Sequence, residues 1–147
     1  MKLKRWFTHL VLLAALTLCG PFEGMAEEKG RPLPGTQTVR EGVIIEVVSA
    51  GEMVLWTKKG LYPFSLYGLS LPVLSTPEGA EAKRKASDII FNKLLTVHFL
   101  NHGSEKPAGI VMVRGECLNL RLVEDRIARV AEDCRLQPYC RQWQEKQ

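Results

Sequence analysis

Few residues in this chain have types and spacings suited to chemistry. His98 and His102 lie four positions apart, and Glu105 follows three later. Two imidazoles and a carboxylate are a Zn²⁺ ligand set, but this spacing matches no zinc motif, and a His98 on a strand is expected to face solvent. Lys83-Arg84-Lys85 is a short basic run, read as a solvated helix face supported by Glu81 one turn before Lys85. Arg121, Arg126 and Arg129 are interleaved with Glu124, Asp125, Glu132 and Asp133, which breaks up any polyanion-binding stripe. Trp56 sits in an apolar run and is expected to pack in the core rather than to stack on bases. Glu52, beside the turn Ser49-Ala50-Gly51, is an isolated carboxylate. No Cys-x-x-Cys pair occurs, so redox exchange is disfavoured. Cys134 and Cys140, with five residues between them including Pro138, suit a local disulfide, which leaves Cys117 as the odd thiol at a helix start.

The elements that must position these residues are legible from periodicity. Val43–Val48 is almost entirely β-branched and predicts a strand, with order beginning near Val39. Glu52–Thr57 and Leu61–Tyr67 predict two more strands, joined by a tight turn at Lys58-Lys59-Gly60 in which Gly60 takes positive φ. Ser75-Thr76-Pro77-Glu78 opens a helix with a hydroxyl cap, a first-turn proline, and a glutamate three residues after Ser75. Ala82, Ala86, Ile89, Ile90 and Leu94 recur at helical spacing, so the helix is expected to run to about Lys93. Leu95–Leu100 and Gly109–Arg114 predict strands around a polar loop at 101–107. A helix is expected over Leu118–Asp125, and Ile127–Val130 is a last extended piece. The order of three strands, a helix, two strands and a helix predicts an α+β fold, a five-stranded OB-fold barrel with two to three helices. With 147 residues, 46% of them hydrophobic, the chain has material for one core.

Phe64–Val73 reads Phe-Ser-Leu-Tyr-Gly-Leu-Ser-Leu-Pro-Val. It resembles the "Arg-x-Leu-x-Gly-Ile-Asp-x-Pro-Glu" segment of the staphylococcal nuclease-like (thermonuclease) family, with Leu66, Gly68, Leu69 and Pro72 at the scaffold positions. Gly42–Val54 is similar to that family's first hairpin. Leu118-Asn119, Leu122-Val123 and Ile127-Ala128 resemble its "Val-Asn-x-x-Leu-Val-x-x-Gly-x-Ala" stretch, with Arg126 in place of a glycine that ends a helix in a left-handed conformation, so that either Arg126 is strained there or the helix ends differently. The resemblance covers Val43 to about Val130 and implies hydrolysis of nucleic-acid phosphodiesters with one Ca²⁺. That reaction takes clustered carboxylates for the ion, two guanidinium groups for the charge on phosphorus, and a carboxylate to manage water. The corresponding positions here are Ser65 for an arginine, Ser70 for a metal aspartate and Val73 for the base glutamate. Lys106 stands near the second arginine, and the "Asp-Gly-Asp-Thr" turn becomes Ser49-Ala50-Gly51-Glu52-Met53, one residue longer. Glu52 remains as a residual metal or ligand contact. One carboxylate and two hydroxyls do not support the Ca²⁺ expected of the family, so no cofactor is expected.

Lys2, Lys4 and Arg5 precede an apolar run at Leu10–Leu18, and Gly24-Met25-Ala26 offers a small-x-small cleavage site. Residues 1–26 therefore read as a signal peptide, 27–38 as a flexible linker, 39–131 as the nuclease-like domain, and 132–147 as a tail with a local disulfide. The competing readings are an uncleaved interfacial anchor and lipidation at Cys19, where Leu18 is large for a lipid-attachment site. Removing three cations and one anion (Glu23) from a chain of formal charge +4 leaves +2, which is no nucleic-acid footprint. These features together predict a periplasmic or secreted domain without catalysis, acting as a binding module in a bacterial envelope. Its expected partner is an envelope protein, or a polyanion held by residual basic groups. The alternatives are an active phosphodiesterase with a rearranged metal site and a structural component of envelope assembly. Intact-mass analysis of protein from the envelope fraction is expected to show a chain beginning at Glu27; retained Met1, or a lipidated Cys19 at the terminus, contradicts that processing.

Overall fold

The computed structural model describes residues 32–100, 106–136 and 138–147. The proposed leader, His102 and Glu105 lie outside the described residues. The fold is α+β. Strands β1 (Thr38–Val47), β2 (Glu52–Thr57) and β3 (Gly60–Leu66) form an antiparallel meander. Helix α1 (Pro77–Ile90) follows a short strand β4 (Leu69–Ser70). Strand β5 (Leu94–Leu100) pairs with β1, and β6 (Ala108–Val113) pairs with β5. Two parallel pairs, Ser65 with Ala108 and Leu66 with Gly109, join β3 to β6. The ring is therefore β1-β2-β3-β6-β5, partly closed and barrel-like. Beyond it lie β7 (Glu116–Cys117), α2 (Leu118–Glu124), β8 (Arg129–Val130) and α3 (Tyr139–Gln144).

Local chemistry explains most of these boundaries. Lys58 and Lys59 form a two-residue turn between paired Thr57 and Gly60, and Gly60 has φ 128°. The cap of α1 is Thr76, whose Oγ1 accepts from the Gly79 N–H at 3.0 Å, so the expected box between Ser75 and Glu78 is displaced by one residue. The helix ends at Ile90 rather than near Lys93, because Asn92 takes φ 56° and its N–H turns to the Ile44 carbonyl. Arg126, just past the end of α2, has φ 57°, the left-handed conformation expected of its position. A non-glycine residue there costs roughly 1–2 kcal/mol of backbone strain.

The sheet carries apolar packing on both faces. Inside the ring, Ile44, Met53, Leu55, Phe64, Leu95, Val97, Phe99 and Val111 pack with Ala82, Ala86 and Ile90 of α1 and with Leu118, Leu122 and Val123 of α2. The Phe64 and Phe99 rings meet edge to face at 5.5 Å. On the outer face of β5 and β6, Leu100 and Ile110 pack with Cys134, Tyr139, Cys140 and Trp143. Residues set apart as a tail thus form a second core, in which Trp143 is 1% exposed. The Cys134–Cys140 disulfide closes this segment with Cα atoms 5.7 Å apart, as the spacing predicts. The described part of the expected linker, from residue 32, also joins the packing. Leu33 lies against the second core, so the packed structure begins before Val39.

Residues 67 and 68 tie these layers together. The Tyr67 N–H donates to the Gly109 carbonyl, and Gly68 accepts from the Ala131 N–H, each at 2.9 Å. The Tyr67 hydroxyl accepts from the N–H groups of Arg135 and Leu136, both at 3.1 Å. Gly68 has φ 70°, and a Cβ there would lie 2.5 Å from Cys134 Sγ, so both conformation and space call for glycine. Asn119, fully buried, completes the joint. Its Oδ1 accepts from the Val111 N–H at 3.0 Å, and its Nδ2 donates to the Tyr67 carbonyl at 3.0 Å. Asn119→Ala strands a buried donor and a carbonyl, each costing about 1–3 kcal/mol. Urea unfolding is expected to show a loss of roughly 3 kcal/mol with an unchanged slope; a loss under about 1 kcal/mol contradicts this role.

Candidate functional site

Five positions bear on the resemblance, and the fold brings three of them together. Glu52 opens β2 directly opposite Ser65 of β3. The Ser65 N–H donates to the Pro107 carbonyl at 3.0 Å, where β3 meets β6, and this delivers the preceding Lys106 to the same rim. Lys106 Nζ donates to Glu52 Oε1 at 2.9 Å. Both side chains are largely solvated, 65% and 42% exposed, so the pair contributes at most about 1 kcal/mol to stability. Its consequence is local: Glu52, the one carboxylate among the described residues of this rim, is paired with an ammonium.

The other two positions stand apart from that pair. Ser70 pairs with Arg129 across β4 and β8 and is exposed. Val73 is 67% exposed in the loop before α1, where its carbonyl accepts from the Thr76 N–H and hydroxyl. The Ser49-Ala50-Gly51 turn is occupied with holding itself. Ser49 Oγ accepts from the N–H groups of Gly51 at 3.3 Å and Glu52 at 3.1 Å, and Ala50 is buried. Leu71 presses against Gly51, where a Cβ would come within 2.6 Å of Leu71 Cδ1. Among the described residues, no cluster of three or more His, Cys, Asp or Glu side chains is arranged to hold a metal.

Two expectations are overturned. His98 does not face solvent: it is 0% exposed, and its Nδ1 accepts the Leu33 N–H at 3.2 Å. That bond commits Nδ1 to the fold; His102 and Glu105, the other two groups of the zinc reading, lie outside the described residues. Trp56 does not pack in the barrel: it is 55% exposed, while its neighbour Leu55 points inward and is fully buried. Sequence alternation carries that parity, but both faces of β2 are apolar, so the alternation does not reveal which face is the core.

The remaining candidates resolve as structural. Arg84 donates to Glu81 at 2.7 Å and to Asp88 at 3.0 Å, and Lys85 lies 3.7 Å from Glu81, a solvated ion-pair ladder along α1. The Arg84 hydrogen bond holds the Glu81 carboxyl below its ordinary range. Arg121 is engaged by Asp125 at 2.9 Å. Cys117 is a free thiol at the cap of α2, and burial pushes its pKa up, away from the nucleophilic thiolate. Among the described residues no helix is long and apolar enough to cross a membrane. Searches against protein-family models and against curated proteins found no match to this chain.

Proposed function

We propose that this chain is an exported OB-fold domain of the staphylococcal nuclease-like type, without nuclease chemistry, acting as a binding module in the bacterial envelope. The ring order β1-β2-β3-β6-β5, with its parallel β3–β6 closure, supports the OB reading. The disulfide supports an oxidising compartment. The observation that carries the loss of chemistry is the Glu52–Lys106 pair. Where the resembling family gathers negative charge for Ca²⁺, the described residues of this rim hold one carboxylate, Glu52, with the Lys106 ammonium paired to it. Ser65 and Val73 supply neither a guanidinium fork nor a base, and Lys106 cannot reproduce a bidentate arginine.

Loss of one electrostatic catalytic partner commonly costs about 10²–10³ in rate. Roles within one site are not additive, but even one such loss beside a neutralised carboxylate brings hydrolysis near background. The purified mature domain is therefore expected not to cut single-stranded DNA or RNA with Ca²⁺, Mg²⁺ or Mn²⁺ present. Cutting that a chelator blocks and Glu52→Ala abolishes would instead make the chain a phosphodiesterase with a rearranged metal centre.

A further inference from the structure

At the turn end of the β2–β3 hairpin, away from Glu52, the outer face of the sheet carries an unbroken apolar row. Leu61 pairs with Trp56, Trp56 with Val43, and Val43 with Leu94, so four strands each contribute one residue. With strands spaced about 4.8 Å apart, the row is roughly 15 Å long. Leu61 is 58% exposed, Trp56 55% and Leu94 61%, whereas Ile44, Leu55 and Leu95, which neighbour the row in sequence, are buried inside the ring. The segment that covers the outer face of β5 and β6 farther along, with Trp143 and the disulfide, packs on Leu100 and Ile110 and leaves this row bare.

Charge borders the row on one side. Lys58 and Lys59 form the turn between Trp56 and Leu61 and line the same shallow groove as Val43, Trp56 and Leu94. Among the described residues neither lysine enters an ion pair. Arg40 also lines the groove, but its guanidinium lies 4.0 Å above the ring of Tyr62, the partner of Leu55 on the core side, so it adds no charge to the outer row; Glu41 is the single acidic residue of the lining.

We propose that this face docks on an anionic lipid bilayer, with Trp56, Leu61 and Leu94 entering the headgroup boundary and Lys58 and Lys59 meeting lipid phosphates. Tryptophan is favoured at a membrane–water boundary, where its ring is buried and its N–H stays wet. Lysines flanking it keep their ammonium groups in the headgroup layer while their stems lie along apolar surface. A second copy of the chain fits less well, because a twofold interface sets this patch, with its excess of positive charge, against itself. Single-stranded nucleic acid also fits less well. It binds by stacking on aromatic rings, and three of the four residues in the row are aliphatic. The proposal deepens the reading as an envelope binding module but does not require an inert cleft; a positive nuclease assay leaves it standing.

The test is sedimentation of the mature chain with vesicles of phosphatidylcholine alone and of phosphatidylcholine mixed with phosphatidylglycerol. Binding is expected only to the anionic vesicles, weakening with salt, with a blue shift of tryptophan emission that Trp56→Phe removes. Each lysine near an anionic surface contributes about fivefold in affinity, so Lys58→Gln with Lys59→Gln should weaken binding roughly 25-fold. Leu61→Ser with Trp56→Ala should abolish it, and circular dichroism should show both double variants folded, since the altered side chains are exposed. The proposal is overturned by absence of binding to anionic vesicles, by folded variants that bind like the parent, or by tighter binding to single-stranded nucleic acid. Sedimentation velocity showing a dimer that the Leu61/Trp56 variant dissociates would also overturn it.

Discussion

The joint between Tyr67, Gly68 and Asn119 is the constraint on which the other layers depend. One buried amide takes the Val111 N–H of β6 and gives a hydrogen to the Tyr67 carbonyl, so α2 cannot move without unpairing both. Tyr67 passes the constraint outward through its hydroxyl, which holds the backbone at Arg135 and Leu136. Gly68 holds Ala131 and makes room for the disulfide sulfur. Inner core, closure of the ring and outer core therefore meet at two consecutive residues. Buried hydrogen bonds of this kind contribute little net energy when made, but are expensive to leave unmade, which gives the joint its influence on register.

A sheet this small gains from being packed on both faces. The inner face is closed by α1 and α2, and the outer face of β5 and β6 by the C-terminal segment. The second layer enlarges the apolar burial of a chain that has material for only one conventional core. It also explains a histidine with no access to water: His98 lies on the outer face between β1 and β6, and Leu33 crosses above it to donate to its ring. The same face emerges from cover at Leu94, Trp56 and Leu61, with Val43 half-buried between them. Buried histidine and exposed tryptophan are two ends of one surface, separated by where the covering segment stops.

That geometry defines what the sequence could and could not disclose. The meander, the Lys58-Lys59-Gly60 turn, the helix beginning at Pro77 and the Cys134–Cys140 pair were all legible, because each depends on residues close together in the chain. His98 and Trp56 were read the wrong way round, because a period of two separates the faces of a strand without saying what covers either. In Glu52–Thr57, Met53 and Leu55 alternate with Val54 and Trp56, and both sets are apolar. Helix α3 has six residues and little periodicity to read, and its burial comes from Leu100 and Ile110, far off in sequence. Ser65 and Ser70 carry hydroxyls and Val73 an aliphatic side chain, and that none of the three is a charged ligand or a base is plain in the sequence. The partner that Glu52 takes, 54 residues away, is not.

The central claim of the proposal is that the Glu52 carboxylate is paired with the Lys106 ammonium and holds no ion. A crystal structure of the mature protein grown in millimolar CaCl₂ tests it most directly. The account predicts Lys106 Nζ within hydrogen-bond distance of Glu52 Oε1 and no ion at that carboxylate. A Ca²⁺ coordinated by Glu52, with Lys106 displaced, would contradict it.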